Sequence, residues 1–144
     1  MKRVLLVVVA ALGVGAALAG TSSAAQPTAC GLVTAAEYAK VIGHPVRLTP
    51  GEGSSSCNVR SGSTWIIPNL NPYNAAYVKR MLGTMKSQLT RVPQLGSMGY
   101  VLSSTDGSIT SYAAKGSWFI AFQGEHGVTK QQAIKLASIA LSRL

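Results

Sequence analysis

The hydrophobic positions of this chain follow two periods, one of three to four residues and one of two, punctuated by Gly, Pro, Asn and Asp. The first helical run starts in Val33-Thr34-Ala35-Ala36-Glu37-Tyr38. Thr34 is placed to cap a free backbone N–H, Glu37 stands three residues on to bond back to the Thr34 N–H, and Val33 and Tyr38 flank the cap as a hydrophobic staple. The run continues through Ala39, Val41 and Ile42 and stops at Gly43, where His44-Pro45 blocks extension. Val46 to Leu48 is a short extended candidate. Thr49-Pro50-Gly51-Glu52-Gly53 and the serines after it read as loop or irregular edge. Cys57 to Arg60, a turn at Ser61-Gly62-Ser63 and Thr64 to Ile67 predict a hairpin.

Asn71-Pro72 predicts a second helix start, a capping side chain followed by a proline whose missing N–H is harmless in the first turn. Val78, Met81, Leu82, Met85 and Leu89 form its core-facing stripe, and Lys79, Arg80, Lys86 and Gln88 fall on the wet side. Val92 to Gly99 is a glycine-punctuated connection. Tyr100 to Thr105, a turn at Asp106-Gly107, Ser108 to Ala114, a turn at Lys115-Gly116 and Ser117 to Gln123 predict a three-strand meander. Trp118, Ile120 and Phe122 alternate along its last strand. A second capping box, Thr129 with Gln132, opens a final helix whose stripe is Ala133, Leu136, Ala137, Ala140, Leu141 and Leu144, with Lys130, Lys135 and Arg143 wet. The order α-β-β-α-β-β-β-α predicts an α+β fold, an antiparallel β-sheet with helices packed on one face.

The N-terminus adds a location. Met1-Lys2-Arg3 is a positive head, Val4 to Gly20 carries no charge, and Thr21-Ser22-Ser23-Ala24-Ala25 supplies small residues, which is the order of parts in a signal peptide. Residues 1–25 are expected to be the signal peptide, 26–29 a short mature tail and 30–144 a single domain, secreted or in the extracytoplasmic cell envelope. A retained leader would instead anchor the chain and bring membrane contact. Gln26-Pro27-Thr28-Ala29 before Cys30 lacks the leucine of a lipid-attachment signal. Two cysteines in an exported chain allow one intramolecular pairing, Cys30 with Cys57.

Charge changes the picture further. The chain has 13 Lys and Arg against four Asp and Glu, net +9; cleavage after Ala25 removes Lys2 and Arg3 and leaves +7. Arg60, Lys79, Arg80, Lys86 and Arg91 are the candidate anion-binding residues, with Arg47 and Lys115 as possible neighbours on the same surface. Outside the cytoplasm the fitting anions are an envelope glycan or a lipid headgroup, and an envelope protein is the third class of partner. Nucleic acid is not expected, because it is normally absent from that compartment. Against specific anion binding, the charges are dispersed, no run exceeds two and no aromatic residues interleave with them as a stacking platform requires, so a solubilising shell is the default reading. Tyr73, Tyr77, Trp65 and Trp118 either fill the core or line a groove between helix and sheet.

Enzyme chemistry finds little support. Glu37 and Asp106 have local structural roles, leaving Glu52 in a loop and Glu125 beside His126 in Gln123-Gly124-Glu125-His126-Gly127, a turn-like link. No metal-ligand spacing, nucleophile elbow, dinucleotide fingerprint or phosphate loop is present, and no cofactor is expected. The expectation is a non-enzymatic binding or accessory protein; the alternatives are a small enzyme centred on Glu125 and His126, or an inhibitor or sensor domain presenting an edge strand or the loop at 49–56.

Cys30-Gly31-Leu32-Val33-Thr34-Ala35-Ala36-Glu37 running to Ile42-Gly43-His44-Pro45-Val46, Cys57 before a short strand, Val92 to Tyr100, Lys115-Gly116 before an apolar strand, and the Ala/Leu-rich terminal helix together carry a resemblance. The pattern resembles small exported or lipid-anchored actinobacterial cell-envelope proteins of uncharacterised function. It implies an α+β envelope domain with a Cys30–Cys57 bridge and a binding or accessory role, and it supplies no catalytic residues.

Overall fold

A computed structural model describes residues 25–144. The expected signal peptide, apart from Ala25, lies outside the described residues.

Both capping boxes form. Thr34 Oγ1 accepts from the Glu37 N–H at 3.3 Å while Glu37 Oε2 accepts from the Thr34 N–H at 2.8 Å, opening α1 (Ala35–Ile42). Gly43 closes it with φ 89°, a left-handed conformation that costs glycine nothing sterically. The Thr34 hydrogen bonds and then the Arg143 guanidinium hold the Glu37 carboxyl below the usual carboxylate range. Thr129 and Gln132 repeat the device at 2.9 and 3.2 Å to open α3 (Lys130–Arg143).

The remaining elements are β1 (Arg47–Pro50), β2 (Cys57–Ser61), β3 (Thr64–Pro72), α2 (Ala75–Thr84), β4 (Leu89–Arg91), β5 (Tyr100–Ser103), β6 (Ile109–Lys115) and β7 (Trp118–Glu125). All strands join one antiparallel sheet in the order β1-β2-β3-β7-β6-β5-β4. The α+β antiparallel fold is therefore as expected, and Cys30–Cys57 is bridged with its Cα atoms 5.1 Å apart. The bridge ties the 3₁₀ turn Ala29–Gly31, just ahead of α1, to the first residue of β2.

Three expectations are corrected. First, β3 does not stop at Ile67; it runs to Pro72, with Asn71 opposite Phe119 and Pro72 opposite Trp118. Pairing with β7 overrides the local helix-start signal of Asn71-Pro72, and Asn74 caps α2 instead, its Oδ1 accepting from the Tyr77 N–H at 2.9 Å. Pro68 is tolerated within this strand by direction. The Leu70 N–H, of the same parity, donates to Ser55 O on the β2 side, so the missing N–H of Pro68 also points there, past the end of the β2 ladder. Second, the second helix ends at Thr84, and Leu89 belongs to β4, paired with Leu102. Third, Glu125 is the last residue of β7, opposite Trp65, and the turn begins only at His126, with φ 52°.

The expectation that the helices pack on one face is also corrected: they divide between the two faces. Strand alternation sends Val59, Ile66, Leu70, Val101, Ala113, Ile120 and Phe122 to one side, where they pack with Tyr38, Leu136, Ala137 and Ala140 from α1 and α3. It sends Leu102, Tyr112 and Phe119 to the other side, beneath Val78 and Leu82 of α2. Tyr112 and Phe119 stack there with centroids 6.0 Å apart. α2 connects β3 to β4 across the face that α1 and α3 leave open.

Polar ties reinforce the first face. Arg143, expected in solvent, donates to Leu32 O at 2.6 Å and to Glu37 Oε1 at 2.8 Å, joining the end of α3 to the start of α1. Gln132 donates to Val41 O, Ser111 Oγ to Ala133 O, and Lys115 Nζ to Leu141 O. Lys115 is thus a tie to the last turn of α3, where a cation suits the helix dipole.

Candidate functional site

α2 covers only the β4–β7 half of its face. Between the helix and the edge strands β4 and β5 it leaves a groove of about 530 Å³, a volume within the usual range of small-molecule sites. The floor is apolar, with Leu82 8% exposed and Tyr73, Leu89, Met98 and Tyr100 half-buried. Ala75, Lys79, Gly83 and Lys86 line the helical wall at three-to-four-residue spacing, so the wall is one stripe of α2 continued into the 3₁₀ turn Lys86–Gln88. Arg91 closes the opposite rim.

The cations differ in freedom. Arg91 Nη1 donates to Gly99 O at 2.8 Å and to Val92 O at 3.2 Å, and its guanidinium lies 5.3 Å from the Tyr100 ring centroid. The side chain is thereby held in place with Nε and Nη2 left for an incoming anion. Lys79 and Lys86 are exposed and enter no ion pair among the described residues. None of the four carboxylates lines this groove.

A second groove, about 500 Å³, lies between α1 and α3 and is lined by Lys40, Lys135, Val41, Ile139, Glu37 and two glutamines. Its electrostatics are mixed, because Glu37 is a fixed carboxylate already engaged by Arg143 and Thr34.

Of the five candidate anion-binding residues, Lys79, Lys86 and Arg91 converge on the groove beneath α2. Arg80 is exposed on the same helix but does not line it. Arg60 stands on β2, toward the other end of the sheet, with its guanidinium 4.6 Å from the Trp65 ring centroid. The four aromatics do not share a groove: Tyr73 lines the site, Tyr77 is 54% exposed, Trp118 packs against the α1/α3 core and Trp65 lies on the sheet half that α2 leaves uncovered. His126 Nε2 is 4.0 Å from Glu125 Oε2, and Glu125 Oε1 accepts from Gln123 at 3.1 Å; neither residue lines a described groove. Among the described residues no group of His, Cys, Asp and Glu is placed to hold a metal ion, and no helix is long and apolar enough to cross a membrane.

Gly83, Leu89, Met98 and Tyr100 are site residues that the sequence pattern did not single out. Gly83 carried a usable signal: it sits between Lys79 and Lys86 in helical register, where glycine is up to about 1 kcal/mol less favourable than alanine. Comparison with family models, with curated proteins and with solved structures finds no match.

Proposed function

We propose that this chain is a non-enzymatic binding protein of the exported envelope compartment, and that its ligand is an anion held in the groove between α2 and the β4–β5 edge. One observation carries the reading: Lys79, Lys86 and Arg91 surround a recessed apolar floor that no carboxylate shares. An apolar wall lowers the local dielectric and strengthens each cation's pull on an anion. The charge-free run behind Lys2-Arg3 and a disulfide, which persists in oxidising surroundings, support the reading of the compartment.

The test is a titration of the full chain with glycerol 3-phosphate followed by amide chemical shifts. The reading expects saturable shifts at Lys79, Lys86 and Arg91 that high salt suppresses and that the double variant Lys79→Glu, Lys86→Glu abolishes. Shifts that persist in high salt, or in the double variant, would refute it.

A further inference from the structure

Gly83 is not explained by the fold. It lies within α2 without the positive φ of a left-handed cap, and a Cβ built on it meets no atom within 4 Å. Gly83 is nonetheless part of the lining of the groove. The helix thus keeps a weak helix former at a point where an added Cβ would meet open space, and the consequence is an open wall between Lys79 and Lys86.

The floor beside that opening is recessed. Leu82 is 8% exposed, and the large apolar side chain most exposed among the described residues is Tyr77, on the outside of α2. A surface built to enter a bilayer projects its apolar groups, whereas this one withdraws them, so it suits a chain taken out of a lipid phase. Met98 lends a deformable side chain to such a floor. Three cations are answered better by the nearly doubled charge of a phosphate monoester at neutral pH than by the single charge of a carboxylate.

We infer that the groove holds a single-chain amphiphile with a phosphate head, its chain lying past Gly83 against Leu82, Leu89 and Met98 and its head among Lys79, Lys86 and Arg91. The inference rests on the anion-binding reading above and adds the apolar half of the ligand. Gly83 acts as the residue that admits the chain.

Calorimetric titrations of the full chain with three probes below their aggregation limits separate the parts: decyl phosphate, glycerol 3-phosphate as head without chain, and decyl maltoside as chain without charge. Decyl phosphate should bind at least about tenfold more tightly than either of the others. Gly83→Leu should weaken decyl phosphate about tenfold or more while leaving glycerol 3-phosphate within about twofold. Gly83→Ala should raise the unfolding midpoint yet still weaken decyl phosphate, so lost binding is not lost folding. Equal affinity of glycerol 3-phosphate and decyl phosphate overturns the chain and leaves the anion reading standing. Equal affinity of decyl maltoside and decyl phosphate overturns both, and so does the absence of binding by all three probes.

Discussion

The two faces of the sheet carry grooves of nearly the same volume, about 500 Å³ between α1 and α3 and about 530 Å³ beneath α2, yet they are built to different ends. On the α1/α3 face every strand but β4 contributes to a core that includes fully buried Phe122, Ile120 and Leu136, and side-chain bonds from Arg143, Gln132, Ser111 and Lys115 hold the helices in place. Its groove is a seam between two tied helices, where Lys40 and Lys135 share the lining with Glu37, a carboxylate already engaged by Arg143 and Thr34. The α2 face has a smaller core, a helix of ten residues, and three cations with no carboxylate opposite them. Stability is concentrated on one side and free surface chemistry on the other.

Substitutions should therefore separate in kind as well as size. Phe122→Ala, at a position 1% exposed, should lower unfolding free energy by about 3–5 kcal/mol in urea titrations, since a large cavity opens under α3. Loss of the disulfide in Cys30→Ser, Cys57→Ser should remove about 3–4 kcal/mol on the loop-entropy estimate for a sequence separation of 27. The comparison predicts that neither change alters glycerol 3-phosphate affinity in whatever fraction stays folded. A folded variant that lost anion binding would break it.

Tyr38 supplies a subtler test of the first face. Its hydroxyl is buried with no hydrogen-bond partner among the described residues, and burial pushes its pKa well above the usual 10. The unfolded chain releases that proton near pH 10 and the folded chain retains it, so this contribution to stability is complete below about pH 10 and falls as pH rises beyond it. Tyr38→Phe should stabilise by about 1 kcal/mol at neutral pH and flatten the alkaline decline of the melting temperature. A variant less stable than the parent would mean that the hydroxyl has a partner. Tyr112, whose pKa burial also raises, keeps part of the alkaline slope in that variant.

On the α2 face the expected stability changes are smallest. Lys79→Glu and Lys86→Glu should each leave unfolding free energy within about 0.5 kcal/mol, because both side chains are exposed and unpaired among the described residues. A change of several kcal/mol from either would show that these lysines serve the fold.

Legibility in the sequence followed the range of the interaction. The Thr34/Glu37 and Thr129/Gln132 boxes and the Gly43 stop are decided within four residues, and they formed as read. The Asp106-Gly107 turn also formed, with Asp106 accepting from the Ser108 N–H and hydroxyl. The extent of β3 and the existence of β4 depend on partners about fifty and eleven residues away, Trp118 to Phe122 and Tyr100 to Leu102, and the local signals at Asn71-Pro72 and Leu89 pointed elsewhere. The site was half legible for the same reason. Lys79 on α2 and Lys86 in the 3₁₀ turn after it are exposed as the periodicity says, but only the edge strands turn that side into a concave wall, and Arg91 joins it through β4.

The most direct test of the division between faces is an amide chemical-shift map of the full chain with decyl phosphate. The account predicts that the shifted residues cluster at Tyr73, Lys79, Gly83, Lys86, Arg91, Met98 and Tyr100. Shifts centred on Lys40, Gln131 and Lys135, in the groove of similar size on the opposite face, would contradict it.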